Sequence, residues 1–177
     1  MKVTARQGNS KNCIICGMEN EFGLKAPFYN LEDGSVASIV EFKACHQSYP
    51  ERTHGGMVAT LLDELMGRVL WYSDNGQDDL SKFAVTMSMT VKYRKPTPYD
   101  KKIKARAYYI KDTARAYVCK GEIYDFDNNL LAEAEGTYFK MSPSQVVSNN
   151  YEMAEEMCYH LPLDINEIDF PEKTSKI

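Results

Sequence analysis

The stretch Thr53-His54-Gly55-Gly56-Met57-Val58-Ala59-Thr60-Leu61-Leu62-Asp63-Glu64 decides how this chain folds, because it opens the longest apolar helix that the sequence predicts. Apolar residues recur at helical spacing between positions 56 and 72 and occupy nearly every side of the helix, namely Val58, Leu61, Leu62, Leu65, Val69 and Tyr72. A helix of this kind is enclosed by other elements rather than lying on a surface. The fold must therefore supply a layer around it.

Strand patterns on either side of the helix supply that layer. One strand is predicted before the helix, at residues 35–45, and a second after it, at residues 83–94. A third follows at 102–110, and two more at 115–126 and 130–141 form a hairpin around an Asp-Asn-Asn turn. Short connections favour an antiparallel sheet. The predicted fold is α+β, with a curved antiparallel sheet wrapped around one long central helix.

The strand at residues 83–94 has the clearest alternation in the chain. Its apolar residues are predicted to share one face: Phe83, Val85, Met87, Met89, Val91 and Tyr93. Thr86 falls on the opposite, polar face.

Length and composition allow one domain with a tail. The chain has 177 residues, of which 44% are hydrophobic, enough for a core. We divide it into an N-terminal lead-in (1–34), the helix-and-sheet domain (35–141) and an acidic C-terminal tail (142–177), in which a short helix is predicted around residues 151–159 and a loose segment after it. The formal net charge of −4 is spread along the chain, which argues against a nucleic-acid or membrane partner.

The N-terminus and the cysteines predict a cytoplasmic location. The first residues lack the apolar segment of a signal peptide, and no apolar run is long enough to span a bilayer. The five cysteines are an odd number, so reduced thiols are expected rather than a disulfide framework.

Asp63 is the leading candidate for catalysis. On a helix it shares a narrow stripe of small and polar residues with Gly56, Thr60 and Gly67. Shielding from water in this apolar helix would raise the pKa of the Asp63 carboxyl. The neighbouring Glu64 competes for the role, but it lies four residues before an arginine, which favours a solvated ion pair. An ordinary surface role for Asp63 is the alternative.

The two glycines that open the helix leave backbone N–H groups at the positive end of the helix dipole, where they can hold a carbonyl oxygen, although a glycine pair is often only a turn. Gly55 and Asp63 lie about 12 Å apart along one helix, too far to act on one carbonyl. In a two-fold dimer with antiparallel helices, Gly55 of one subunit can approach Asp63 of the other. We therefore predict a homodimer, or a dimer of dimers, with shared active sites.

The strings HGGMVATLLDE (54–64) and VTMSMTVKYRKPTP (85–98) resemble hotdog-fold acyl-CoA thioesterases of the phenylacetyl-CoA thioesterase-like group. In that family an HGG turn opens the central helix and an acidic residue follows nine positions after the His, as His54 and Asp63 do here. The later strand pattern is matched by Thr86, Tyr93 and Pro96. The string CIICGMENEFGL (13–24) is also similar to the lead-in of some members.

The resemblance implies an acyl-CoA hydrolase in which the Gly55 amide polarises the thioester carbonyl and His54 shapes the turn. Asp63 is implied as general base or nucleophile, with Thr86 orienting the water. Gln47, or Ser48 in another register, matches the polar residue that the family places before HGG. Glu51 stands where a glycine is common in that loop. No metal and no cofactor is implied, apart from CoA as part of the substrate.

Two further groups of residues are candidates for binding. Arg94 and Lys95 belong to a basic cluster that can hold CoA phosphates. Equally, these residues could be the solvated end of a strand with no ligand. Gly56 is a further substrate-binding candidate. The pair Cys13 and Cys16 could bind zinc, but a tetrahedral site needs four ligands, and Cys45 and His46 are the only further candidates. We therefore prefer a structural role for the two cysteines, in packing of the N-terminal segment, over a zinc site.

Two other functions fit the same fold. A non-catalytic acyl-CoA sensor is the first alternative, although such a protein can dispense with the helix carboxylate that this chain has. An enoyl-CoA hydratase or dehydratase is the second, but no further His is suitably placed on the helix.

Overall fold

A computed structural model describes residues 1–72, 78–79, 81–146 and 156–173 of the chain. Its strands are β1 (Val3–Arg6), β2 (Tyr29–Leu31), β3 (Val36–Glu41), β4 (Gln47–Tyr49), β5 (Arg52–Thr53), β6 (Phe83–Tyr93), β7 (Lys102–Asp112), β8 (Ala116–Tyr124) and β9 (Leu130–Met141). Its helices are α1 (Gly55–Arg68) and α2 (Pro143–Val146), with short 3₁₀ segments at Ala44–His46 and Val69–Trp71.

Seven strands form one sheet in the order β1-β2-β3-β7-β8-β9-β6, and every neighbouring pair is antiparallel. The strands β4 and β5 form a separate small hairpin directly before α1. The prediction of an α+β fold, with a large antiparallel sheet packed on one long helix, is confirmed. The strand β6 lies at one edge of the sheet, so one side of its backbone is open to pairing.

The core lies between α1 and the face of the sheet that the helix covers. Buried side chains of the helix pack there against strands β3 and β6–β9, as predicted from its apolar pattern: Val58, Leu61, Leu62, Leu65 and Met66. Burial of each such side chain stabilises the fold by about 1.5–3 kcal/mol. Together they hold the polar stripe of α1 at a defined place against the sheet.

The lead-in and the tail join the same fold. The strands β1 and β2 extend the sheet beyond β3, and their three or four residues are too short to show a periodic pattern in the sequence. Ile168 and Phe170 of the tail are buried in a second apolar cluster with Val3 and Leu31. The expectation of a loose segment after residue 159 is therefore wrong for residues 160–173, whereas the division at residues 34 and 141 stays a prediction. The helix predicted around residues 151–159 lies largely outside the described residues.

The turn between β4 and β5 carries Glu51 in a left-handed backbone conformation, with φ of 65°. A side chain with a Cβ atom is disfavoured in this region, whereas glycine adopts it readily. The glycine that the resemblance leads one to expect at this position would therefore fit the observed backbone.

Replacing Glu51 by glycine should raise the free energy of unfolding by about 0.5–1 kcal/mol, measured by chemical denaturation. Relief of the left-handed strain contributes about 1–2 kcal/mol, and the larger entropy of glycine in the unfolded chain offsets part of it. Glu51→Ala is the control, because alanine keeps the Cβ atom and the strain. An equal gain in both variants would assign the effect to the lost side chain instead.

Candidate active site

The Asp63 side chain is held by two hydroxyl groups from the sheet. The Thr86 hydroxyl donates a hydrogen bond of 2.8 Å to Asp63 Oδ1, and the Tyr138 hydroxyl donates one of 2.9 Å to the same oxygen. The second carboxylate oxygen, Oδ2, has no hydrogen-bond partner among the described residues. The carboxylate is therefore fixed through one oxygen and keeps the other available for a reacting molecule.

A β-bulge in β6 brings Thr86 to Asp63. Thr86 pairs with Tyr138 and Ser88 pairs with Thr137, so Met87 is left without a partner in the register. One extra residue reverses the side-chain alternation of a strand. The side chains of Ala84, Thr86, Met89, Val91 and Tyr93 consequently face the helix.

The bulge overturns part of the predicted face pattern. Val85 and Met87 do not share a face with Met89, and they are 40% and 62% exposed. Thr86 does not lie on a polar outer face, because it points to the helix. Strict alternation was a wrong assumption for this strand, since a bulge leaves no trace in the apolar pattern.

Tyr138 is a member of this cluster that sequence reasoning missed. Its side chain is 1% exposed, and its ring stacks on Tyr117 with 5.1 Å between centroids. Burial and the nearby Asp63 charge both raise the pKa of the Tyr138 hydroxyl, so it remains a proton donor to the carboxylate.

Gly136 makes room for the Tyr138 ring. A Cβ atom at Gly136 would lie 2.7 Å from Cε2 of Tyr138 and 3.2 Å from the terminal methyl of Met66. A glycine inside a strand often marks such a close approach. The sequence therefore contained a signal for the position of the Tyr138 ring. A glycine two positions before a tyrosine lies on the same face of the strand and leaves room for the ring.

Tyr138→Phe should lower kcat about ten- to hundredfold, leave KM nearly unchanged and lower the melting temperature by several degrees. The phenylalanine ring keeps the stacking but loses the hydrogen bond to the charged carboxylate, and such a bond contributes about 1.5–3 kcal/mol. Steady-state kinetics with a thioester substrate measures the effect. Tyr109→Phe is the matched control, because Tyr109 also contacts the Tyr117 ring but has no hydrogen bond to Asp63. Equal losses in both variants would contradict a specific role for Tyr138.

The start of α1 offers one open backbone amide. His54 is the N-cap, and its Nδ1 accepts a 2.9 Å hydrogen bond from the Gly56 N–H. The Gly55 N–H, first in the helix, has no hydrogen-bond partner among the described residues. The sequence suggested two free amides, but the His54 cap occupies one of them. Gly55 is thus the donor at the positive end of the helix dipole.

Tyr93 lies directly over Gly55. Its hydroxyl donates a 2.9 Å hydrogen bond to the Gly55 carbonyl oxygen, and a Cβ atom at Gly55 would lie 3.4 Å from its ring. This contact ties the start of the helix to the end of β6.

Gln47 and Ser48 lie near the start of the helix, away from the Asp63 cluster. Both are exposed on β4, and Gln47 pairs with Thr53 in the small hairpin. The backbone N–H of His54 also donates to the carbonyl of His46, which anchors the hairpin to the HGG turn. The predicted roles of Gln47 and Ser48 stay predictions.

A basic cavity of about 420 Å³ adjoins Gly55 and is lined by Arg52, Arg94, Lys95, Tyr49, Tyr93 and Val58, among others. Arg94 Nε donates to Glu133 Oε1 at 2.8 Å, and Lys95 Nζ donates to Asn129 Oδ1 at 2.7 Å. A smaller cavity of about 350 Å³ adjoins Asp63, Thr86 and Tyr138. The first cavity therefore has basic side chains next to the open Gly55 amide, and the second leaves free space next to the Asp63 carboxylate.

Glu64 makes the predicted ion pair with Arg68, with 2.8 Å between Oε1 and Nε. The expectation that this pair is solvated is wrong, because the Arg68 side chain is only 2% exposed. Its guanidinium carbon lies 4.4 Å from the centre of the Phe28 ring and 4.7 Å from that of Trp71. Glu64 and Asp63 both line the cavity, but the Glu64 carboxylate neutralises a buried cation, whereas Asp63 is held by hydroxyl groups alone.

Residues 52–132 match the model of the thioesterase superfamily. A crystal structure of a thioesterase superfamily protein is 24% identical to this chain, with a TM-score of 0.62. The alignment covers 72% of this chain and 59% of the other protein, so this chain spans less than two thirds of the other protein's length. A thioesterase from Haemophilus influenzae is 15% identical, with a TM-score of 0.60 and coverage of 72% and 85%.

A third solved structure is that of a hypothetical thioesterase from Streptococcus pneumoniae TIGR4 with coenzyme A. It is 20% identical, with a TM-score of 0.56 and coverage of 65% of this chain and 84% of that one. No curated protein matches the chain. The matched segment begins in the hairpin before α1 and contains Asp63 and Thr86. The chain therefore has the hotdog fold of these solved structures, and its residues 52–132 match the thioesterase superfamily.

Proposed function

We propose that this protein hydrolyses acyl-CoA thioesters to a free carboxylic acid and CoA. The observation that carries the proposal is the Asp63 carboxylate, which lines a cavity and which Thr86 and Tyr138 hold through one oxygen only. A thioester has a good leaving group, so one carboxylate and one oxyanion donor suffice for its hydrolysis without a Ser-His-Asp triad. The superfamily match and the CoA in the streptococcal structure support the substrate class.

The active site in this proposal combines two subunits. Gly55 and Asp63 belong to the same 14-residue helix and lie about 12 Å apart along its axis, so they cannot reach one carbonyl within one chain. The Asp63 cluster borders the edge strand β6, whose Val85 and Met87 are exposed. A second copy that pairs along this edge would cover these apolar side chains and bring its own Gly55 amide toward Asp63. We therefore propose a homodimer.

The steps follow from the groups that each subunit supplies. The Gly55 N–H of one subunit donates to the thioester oxygen and stabilises the negative charge that develops there. The Asp63 Oδ2 of the other subunit either takes a proton from the attacking water or attacks the carbonyl itself. The Thr86 hydroxyl donates to Asp63 Oδ1, and its oxygen retains lone pairs that can accept a hydrogen bond from the water. The CoA thiolate then leaves. In the general-base route it takes back the proton that Asp63 removed from water; in the nucleophilic route it is protonated by solvent, and a water molecule hydrolyses the acyl–Asp63 anhydride, which releases the carboxylic acid and restores the carboxylate.

The basic cavity beside Gly55 is the proposed site for the CoA phosphates. Arg52, Arg94 and Lys95 line it, and phosphate groups are held by arginine and lysine side chains. Hydrogen bonds to Glu133 and Asn129 hold the Arg94 and Lys95 side chains in place without an added ligand.

The predicted cytoplasmic location is part of the proposal. No helix among the described residues has the length and apolar character needed to cross a membrane.

A panel of aromatic, short-chain and long-chain acyl-CoA substrates tests the proposal through the release of free thiol. Turnover of at least one acyl-CoA, with release of an equal amount of carboxylic acid, is the expected result. Saturable binding of the acyl-CoAs without thiol release would replace the enzyme by an acyl-CoA sensor. Hydration of an enoyl-CoA without thiol release would replace it by a hydratase.

A further inference from the structure

Cys13 and Cys16 lie in one tight turn beside the helix α1. The Gly17 N–H donates to the Cys13 carbonyl at 2.8 Å, which closes a helical turn around the pair. The two sulfur atoms and a carboxylate oxygen of Glu64 all lie within 4.8 Å of one another. Residues three apart in such a turn have Cα atoms about 5–6 Å apart, within the range that a disulfide spans. A disulfide between them would therefore need little movement of the backbone.

The two thiols differ in environment. Cys13 is partly exposed, and its Sγ accepts backbone N–H bonds from Ile15 at 3.3 Å and from Cys16 at 3.5 Å. The hydrogen bond from the Cys16 thiol, together with these N–H donors, lowers the pKa of Cys13 to about 7. The hydrogen bond to Cys13, together with burial, raises the pKa of the Cys16 thiol. This asymmetry is typical of a pair with one attacking thiolate and one protonated resolving thiol.

The surroundings argue against a bound metal dication. Among the described residues Glu64 is the third group that could bind a metal, but its carboxylate pairs with the buried Arg68 guanidinium at 2.8 Å, and the positive charge of Arg68 opposes a second cation. Glu64 Oε2 lies 3.9 Å from Cys13 Sγ, and its charge raises the pKa of Cys13, so the hydrogen bonds to the sulfur are what lower that pKa. His46, one of the zinc ligands considered from the sequence, contacts the Phe22 carbonyl oxygen at 2.9 Å, and Cys45 is exposed. Neither joins the pair in a cluster.

We propose that Cys13 and Cys16 are a thiol–disulfide exchange site for low-molecular-weight disulfides. The Cys13 thiolate attacks one sulfur of the disulfide RSSR, forms a mixed disulfide and releases RS⁻. The Cys16 thiol then loses its proton to solvent, and its sulfur attacks the Cys13 sulfur and displaces a second RS⁻. Two protein thiols are oxidised to one disulfide, and one RSSR is reduced to two RSH once the released thiolates are protonated. This inference does not depend on the proposed thioesterase activity.

The test uses the full chain with the exposed Cys45 and Cys158 replaced by serine. The reduced protein is incubated with oxidised glutathione and analysed by intact mass and peptide mapping. We expect a loss of two hydrogen masses, a Cys13–Cys16 disulfide, and full reversal by dithiothreitol. A lasting glutathione adduct or an unchanged mass would overturn the proposal, and neither readout requires a change in the pair itself.

Single variants of the pair separate the two roles. Cys16→Ser should accumulate a mixed disulfide with glutathione at Cys13, whereas Cys13→Ser should form neither product. Uptake of one Zn²⁺ per chain that requires both cysteines, measured by competition with a chromogenic chelator, would overturn the proposal in favour of a metal site.

Discussion

Replacing Asp63 by asparagine is expected to lower kcat/KM for acyl-CoA hydrolysis by about 10²–10⁴-fold, the usual contribution of a general base. Asparagine has the same shape, and its carbonyl oxygen can still accept the hydrogen bonds that Thr86 and Tyr138 donate to Asp63. The variant should therefore keep its fold and its affinity for acyl-CoA while it loses the group that activates water. Thiol release measures the rate, and a thermal melt checks the fold.

Asp127→Asn is the control for this experiment. Asp127 lies in the exposed turn between β8 and β9 and lines neither the cavity beside Asp63 nor the one beside Gly55, so it makes the same change of charge outside both. Its activity should equal that of the unchanged protein. An Asp63→Asn variant that retained more than about a tenth of the activity would remove Asp63 from the mechanism, because a tenfold loss corresponds to only about 1.4 kcal/mol.

Replacing Gly55 by proline is expected to lower kcat by about 10²–10³-fold, the usual cost of one lost oxyanion donor. Proline has no backbone N–H, and it is favoured at the first position of a helix, which Gly55 occupies. The preceding His54 has φ of −60° and ψ of 131°, a conformation that a following proline accepts. The substitution thus deletes the open amide and preserves the helix.

Gly55→Ala is the matched control, because alanine keeps the N–H. Its Cβ atom would lie 3.4 Å from the Tyr93 ring, an ordinary contact distance. Steady-state kinetics of the two variants, with circular dichroism to confirm the helix, should show a large loss only for proline. Equal rates in both variants would exclude the Gly55 amide as the oxyanion donor.

The proposed shared site predicts complementation between the Asp63→Asn and Gly55→Pro variants. In a random mixture of Asp63→Asn and Gly55→Pro subunits, half of the dimers are mixed, and each mixed dimer has one site with an intact Gly55 and an intact Asp63. A two-fold dimer has two sites, so about a quarter of all sites in the mixture are intact. Activity should therefore return to about a quarter of that of the unchanged protein. A mixture that stays inactive after subunit exchange would place both groups in one chain.

Most of the large strands and the helix were predictable, because each has enough residues to show its own period. The predicted helix at 56–72 corresponds to α1 and the 3₁₀ segment after it, and the strand at 102–110 corresponds to β7. The strands β1 and β2 were missed because three or four residues carry no periodic signal. Their stability comes instead from pairing with β3 and from the buried tail.

The candidate site was predictable only in part. The helical stripe picked out Asp63, and the family resemblance picked out Thr86, and the structure places their side chains in contact. The same reasoning put Thr86 on the wrong face of its strand, because the bulge at Met87 depends on the pairing with β9. It missed Tyr138, which is 75 residues away in the chain and reaches Asp63 only through the fold.

The sequence by itself determined the buried helix, the carboxylate on its polar stripe and the glycines at its start, since each depends on spacing within a single element. Tertiary structure alone decided which oxygen of Asp63 is held and that Cys13 and Cys16 lie against Glu64. These features depend on the register between strands and on contacts between distant segments. Such contacts are set by packing of the whole domain, which no local period encodes.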